Sequence, residues 1–186
     1  MIKLKFPLLV ITLTCVATVC KPSAFGINHI AKAYSHTKPT HNNDDGVAAT
    51  LCADDLLSFA QTLIGVRYHS ASSSPVHGFD CSGFVSYVFK NFSIEVPRSS
   101  YEFASVGEKV ALADARPGDV ILFTGTSKRS RRIGHVGIIM SNDNDGTTFI
   151  HSTSGKEHGV TITAMDKTYH RRFVKIVRLL KQNDLS

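Results

Sequence analysis

The order of its hydrophobic periods constrains this chain most: helical spacing comes first, extended spacing afterwards. Leu51, Leu56, Phe59, Ala60, Leu63 and Ile64 recur at helical intervals, and Gly65 follows as a C-terminal cap. A second helix is predicted from Cys81 to about Phe92, with Phe84, Val85, Val88 and Phe89 as its buried stripe. The runs 120–123, 135–140, 147–152, 160–163 and 173–180 are short, apolar or alternating, and punctuated by Gly, Asn and Asp. Helices gathered before strands argue against a doubly wound sheet. They predict an α+β domain, with N-terminal helices packed on an antiparallel sheet of about five or six strands.

At 186 residues and 42% apolar content, the chain has material for one core. Residues 1–26 have the layout of a secretory signal peptide: Lys3 and Lys5, an apolar run from Phe6 to Val19, then small residues. That run is about 14 residues long, short of the roughly 20 needed by a membrane-spanning helix. Two processing routes fit. Cleavage after Ala24-Phe25-Gly26 frees the chain, whereas lipidation at Cys20 anchors it, although the bulky Val19 makes Ala17-Thr18-Val19-Cys20 a loose lipobox. Either route predicts an exported protein of the periplasm or cell envelope with no integral membrane segment after processing.

Residues 27–47 carry His29, His36 and His41 among small polar neighbours. Their irregular spacing and distance from any cysteine favour a flexible polar tether over a metal site. The folded domain is then expected over 48–182, as a monomer. Removing Lys3, Lys5 and Lys21 with the leader leaves 18 basic against 15 acidic residues, so the formal charge falls from +6 to +3. That excess is too mild for a nucleic-acid binder.

Gly78-Phe79-Asp80-Cys81-Ser82-Gly83-Phe84-Val85 sets a cysteine where a loop becomes a helix. Unpaired amides and the positive dipole end are expected there to ease loss of the thiol proton, making Cys81 a candidate nucleophile. His135 opens a later strand with Gly134 and Gly137 near it, leaving room for another chain to approach, and it is the candidate base. His151 ends the next strand, and an Asn144-Asp145-Gly146 connection would pair the two. In that arrangement His135 takes the proton of Cys81 and His151 holds the tautomer of His135. The reaction implied is acyl transfer from an amide to sulfur, then thioester hydrolysis. Cys15 and Cys20 lie in the leader, so only Cys52 and Cys81 remain for the domain. Cys52 reads as a small apolar residue of the first helix, with a Cys52–Cys81 bridge the alternative. A zinc site of Cys81, His135 and His151 lacks a fourth ligand, and no metal or other cofactor is expected.

Gly65-Val66-Arg67-Tyr68, Phe79-Asp80-Cys81-Ser82-Gly83-Phe84-Val85, Val96-Pro97-Arg98-Ser99-Ser100, Arg116-Pro117-Gly118-Asp119-Val120, Ile133-Gly134-His135-Val136-Gly137-Ile138 and Phe149-Ile150-His151 stand in one order over roughly residues 50 to 180. That order resembles the NlpC (NlpC/P60) family of bacterial cell-wall cysteine peptidases. The resemblance implies a papain-like core, the catalytic set Cys81, His135 and His151, and peptidoglycan stem peptides as substrate, cut between γ-D-glutamate and a diamino acid. It implies that Tyr68 assists the oxyanion with the Cys81 amide, that Asp80 and Ser82 hold a free amine, and that Arg98 and Ser100 face the substrate. Read singly, Tyr68 also fits a core aromatic, Asp80 a helix cap and Arg98 a surface ion pair. The chain departs from the resemblance in having Tyr68-His69-Ser70 where many relatives have Tyr and Trp before two glycines, and it contains no Trp. Residues 27–47 are too short and polar for a bacterial SH3-like wall-binding domain. The basic run Lys128-Arg129-Ser130-Arg131-Arg132 fits either a loop that attracts anionic polymers or a plain solvated loop. Alternative functions are a papain-like amidase or acyltransferase on related substrates, or a wall-binding module without turnover.

Overall fold

The computed structural model describes residues 53–127 and 130–180. The predicted leader and tether, Cys20, Cys52, Lys128 and Arg129 lie outside them. Helix α1 (Ala53–Thr62) buries Leu56, Leu57 and Ala60, and Gly65 after it has φ +87° and donates its N–H to the Val160 carbonyl at 2.9 Å. A small hairpin follows, β1 (Ser73–Ser74) against β2 (Gly78–Phe79), and leads directly into α2 (Cys81–Asn91). Asp80 caps α2, accepting the Gly83 N–H at 2.6 Å. The Asp80 N–H in turn donates to the Ser72 carbonyl at 3.0 Å, drawing that carbonyl over the first turn. A Cβ at position 83 would collide with this same carbonyl, which is the reason for glycine there.

The remaining elements are β3 (Glu108–Val110), β4 (Val120–Thr124), β5 (Ile133–Asp143), β6 (Gly146–Thr153), β7 (Gly159–Ala164), α3 (Lys167–Arg172) and β8 (Phe173–Arg178). The larger sheet has six strands in the order β3-β8-β4-β5-β6-β7, all pairs antiparallel. Strand β4 is buried at every position. Val120 and Leu122 join the core under the helices, with Phe84, Val88, Val136, Ile138 and Ile150. Ile121 and Phe123 join a second cluster with Ile139, Phe149, Met165 and Ile176, against which Tyr169 and Phe173 pack. Two covered faces explain the unbroken apolar run in β4. At the end of the sheet Asp119, almost wholly buried, takes Arg178 Nε and Nη2 at 2.8 Å each and pins β8 beside the turn into β4.

The α+β expectation holds, and the five predicted strands are present. Strand β3, the β1–β2 hairpin and α3 were not predicted, being too short to show a period. The two-residue connection at 144–145 pairs Asp143 with Gly146 and brings β5 and β6 side by side.

Candidate active site

Cys81 is the first residue of α2, half-buried, and its thiol is free. Its Sγ lies 4.0 Å from the Gly134 carbonyl, so α2 meets β5 at the strand's opening. Glycines keep the neighbouring segments of the sheet close here: a Cβ on Gly134 would stand 2.9 Å from the Gly125 backbone, and one on Gly137 would press on Phe149 and His151. Cys81 and His135 border one cavity of about 490 Å³, together with Tyr68, Ser154, Tyr169 and Arg172.

Electrostatics here differ from the sequence expectation. Burial, and then the Asp80 carboxylate, push the Cys81 thiol above its ordinary range, while the backbone amides of Ser82, Val136 and Cys81 itself pull it down. The helix amides act in the expected direction and lose to desolvation, so the resting group is a thiol. His135 is buried, and burial, His151 and Arg172 hold its imidazole well below the usual histidine range. His151 is pushed down to about 4, chiefly by burial, then by Arg172. Both rings are neutral at pH 7.

The two rings meet edge to face, and His135 Nε2 lies 2.7 Å from His151 Nδ1. That gap is too short to admit a metal ion between them. The far nitrogen of His151, Nε2, lies 2.9 Å from Thr163 Oγ1 on β7. Tyr169 covers the pair with its ring centroid 5.9 Å from His151, and Arg172 sits 5.3 Å over the Tyr169 ring. The Arg172 guanidinium donates twice to the Thr124 carbonyl, at 3.0 and 2.8 Å.

Beside Cys81, on the α2 side, Arg98 grips Asp80 in two places, Nη1 to Oδ1 at 3.0 Å and Nη2 to Oδ2 at 2.7 Å. Ser82 Oγ accepts from Arg98 Nη1 at 3.1 Å and donates to Asp80 Oδ1 at 3.3 Å. Asp80 is thus both helix cap and ion-pair partner, and Arg98 makes the ion pair that its bland reading described. Ser100 lies in the turn after Arg98 and joins neither this network nor the cavity wall. Tyr68 reaches the cavity half-buried; burial, Cys81 and Asp80 raise its phenol above the ordinary tyrosine range.

A cysteine at a helix start thus shares a cavity with the first of a bonded histidine pair on two adjacent strands. Residues 65–178 fit the sequence model of the NlpC/P60 family. The chain belongs to the NlpC/P60 family. It is 40% identical over 111 residues to the gamma-DL-glutamyl hydrolase of Bacillus subtilis, a match covering 59% of this chain and 25% of that protein. It is 36% identical over 122 residues to the murein DD-endopeptidase MepS/murein LD-carboxypeptidase of Escherichia coli, covering 64% and 58%. Among solved structures, an NlpC/P60 family protein from Bacillus cereus superposes with a TM-score of 0.62 at 30% identity, over 70% of this chain and 41% of that one. The chain therefore spans a quarter to three-fifths of these relatives' lengths.

Within this NlpC/P60 domain the sequence reading named the three catalytic candidates and missed their surroundings. Thr163 was one of two threonines alternating along a short strand, with no sign of which would meet a histidine. Tyr169 and Arg172 sit on α3, six residues long. The available signal was Asp166, which caps α3 by accepting the Thr168 and Tyr169 N–H groups at 2.8 and 2.9 Å.

Proposed function

We propose that this protein is an exported peptidoglycan hydrolase, a cysteine endopeptidase that cuts stem peptides at the γ-D-glutamyl-diamino acid bond. The observation that carries the reading is the shared cavity of Cys81 and His135, backed by the His135–His151–Thr163 chain of hydrogen bonds. The relatives' names, a gamma-DL-glutamyl hydrolase and a murein peptidase, support the substrate class. The charged start and apolar run of residues 1–26 support export.

The chemistry follows from which nitrogen carries which proton. His135 bonds His151 through Nε2, so only Nδ1 is left to accept from Cys81. For Nδ1 to be the basic atom, Nε2 must hold hydrogen and donate it to His151 Nδ1. His151 then carries its own hydrogen on Nε2 and donates it to Thr163 Oγ1. As the amide carbonyl enters, the thiol proton passes to His135 Nδ1 and the sulfur bonds the carbonyl carbon. The backbone N–H of Cys81 and the Tyr68 hydroxyl receive the oxyanion. His135 returns the proton to the leaving amine as the C–N bond breaks and the thioester forms. Water, deprotonated by His135, then attacks the thioester; the acid leaves and the thiol is restored. Asp80 and Ser82 hold the amine of the acyl half, and Arg98 lies beside them for the free α-carboxylate of the γ-linked glutamate.

The test is to incubate the protein and its Cys81→Ala variant with defined muropeptides and to identify the products by mass spectrometry. Release of L-Ala-γ-D-Glu by the wild type alone is expected. Loss of a terminal D-alanine, or scission between cross-linked peptides, would instead point to the bonds named for the Escherichia coli relative. Cleavage that survives Cys81→Ala would overturn the nucleophile.

A further inference from the structure

We propose that a basic groove next to the catalytic cavity is a carboxylate-binding subsite for the leaving half of the substrate; this rests on the peptidase reading above. The groove encloses about 310 Å³ and is bordered by Arg131, Arg171 and Arg172 with the hydroxyls of Ser127, Ser130 and Thr168. Among the described residues, no acidic side chain borders it. Gly125, Thr126 and Arg172 border this groove and the catalytic cavity alike, so the two adjoin.

The arginines are suited to the task in different ways. Arg172 is preset, held by its two bonds to the Thr124 carbonyl and its seat over Tyr169. Arg171 leans on Thr168 Oγ1 at 3.4 Å, and both Arg171 and Arg131 are exposed, with their planar forks open to a two-oxygen acceptor. Three guanidinium groups around a concave, hydroxyl-lined site favour an anion that water alone would hold weakly. Position supplies the substrate half. Asp80, Ser82 and Arg98, bonded to one another at the start of α2, border neither the groove nor the catalytic cavity, whereas the groove meets that cavity at Gly125, Thr126 and Arg172. A peptide with its acyl half on α2 directs its leaving residue into the arginines, so the groove selects leaving residues that carry a free carboxylate, as a diamino dicarboxylic acid does.

The experiment compares L-Ala-γ-D-Glu-diaminopimelate with the same tripeptide bis-amidated on the diaminopimelate, using the full-length protein. Wild type should favour the free acid by about tenfold in kcat/KM, in keeping with exposed but clustered charges. In Arg131→Gln/Arg171→Gln the acid-to-amide ratio should fall to near one, while Lys90→Gln/Lys109→Gln, which removes two charges elsewhere, should retain it. Thermal melting checks that each variant is folded, and Arg171→Lys, which keeps charge but loses the fork, should give an intermediate ratio. An unchanged ratio in the arginine variant, or an equal loss in the lysine variant, overturns the subsite. Calorimetric binding of both peptides to the Cys81→Ala protein gives a readout independent of turnover. If neither peptide is cut, but acid-selective binding persists and vanishes with the arginines, the peptidase reading falls and the subsite stands.

Discussion

At the scale of single residues, the site depends on where protons rest. Cys81 rests as a thiol and both histidines as neutral rings, so in the proposed mechanism the proton moves when substrate arrives rather than from a standing ion pair. In the proposed mechanism Thr163 directs that transfer, because its part-buried oxygen accepts the His151 Nε2–H. Thr163→Val keeps the shape and removes the acceptor, which favours the other His151 tautomer and leaves Nδ1 of His135 protonated. We expect kcat to fall about tenfold or more with KM nearly unchanged, and Thr163→Ser to recover most of it. Nitrogen chemical shifts of His151 would report the tautomer; identical shifts and rates in Thr163→Val would rule out the positioning role.

At the scale of elements, the decisive joint is the start of α2. A three-way contact holds it: the Asp80 cap, the β1–β2 hairpin and the bare α-carbon of Gly83 beneath the Ser72 carbonyl. In an exposed helix Gly→Ala would gain about 1 kcal/mol of helix propensity. At position 83 the new methyl meets backbone that cannot rotate aside, so Gly83→Ala should lower stability by about 2 kcal/mol or more, seen as a reduced midpoint in urea unfolding. Since the same joint aims Cys81, activity should drop further than stability alone accounts for. A variant as stable and active as wild type would mean that the hairpin yields freely.

For the whole molecule, burying a histidine pair couples folding to pH. His151 titrates at about 4 when folded against about 6.5 when unfolded. Between those values the unfolded chain binds the extra proton, so this contribution is complete above about pH 6.5 and is lost as pH falls towards 4. The loss is on the order of 3 kcal/mol, and His135, shifted the same way, adds to it. Replacing His151 by Asn removes the titration. The stability gap between wild type and variant should narrow from pH 7 to pH 4 in urea melts; parallel curves would contradict the linkage.

The α+β order, the strand runs and the candidacy of Cys81, His135 and His151 were all legible in the chain, because period, turn residues and a cysteine at a helix start are local signals. The β1–β2 hairpin, β3 and α3 were not, since two to six residues carry no period. Local reasoning also gave the wrong sign for the thiol: an amide dipole belongs to one turn, whereas desolvation belongs to everything packed around it. What the sequence determined by itself was which residues are candidates for the chemistry and on which kind of element each sits. Tertiary structure alone decided their protonation, the Arg98–Asp80 pairing, the Thr163 acceptor and the arginine groove, because each depends on distances and burial between segments far apart in the chain.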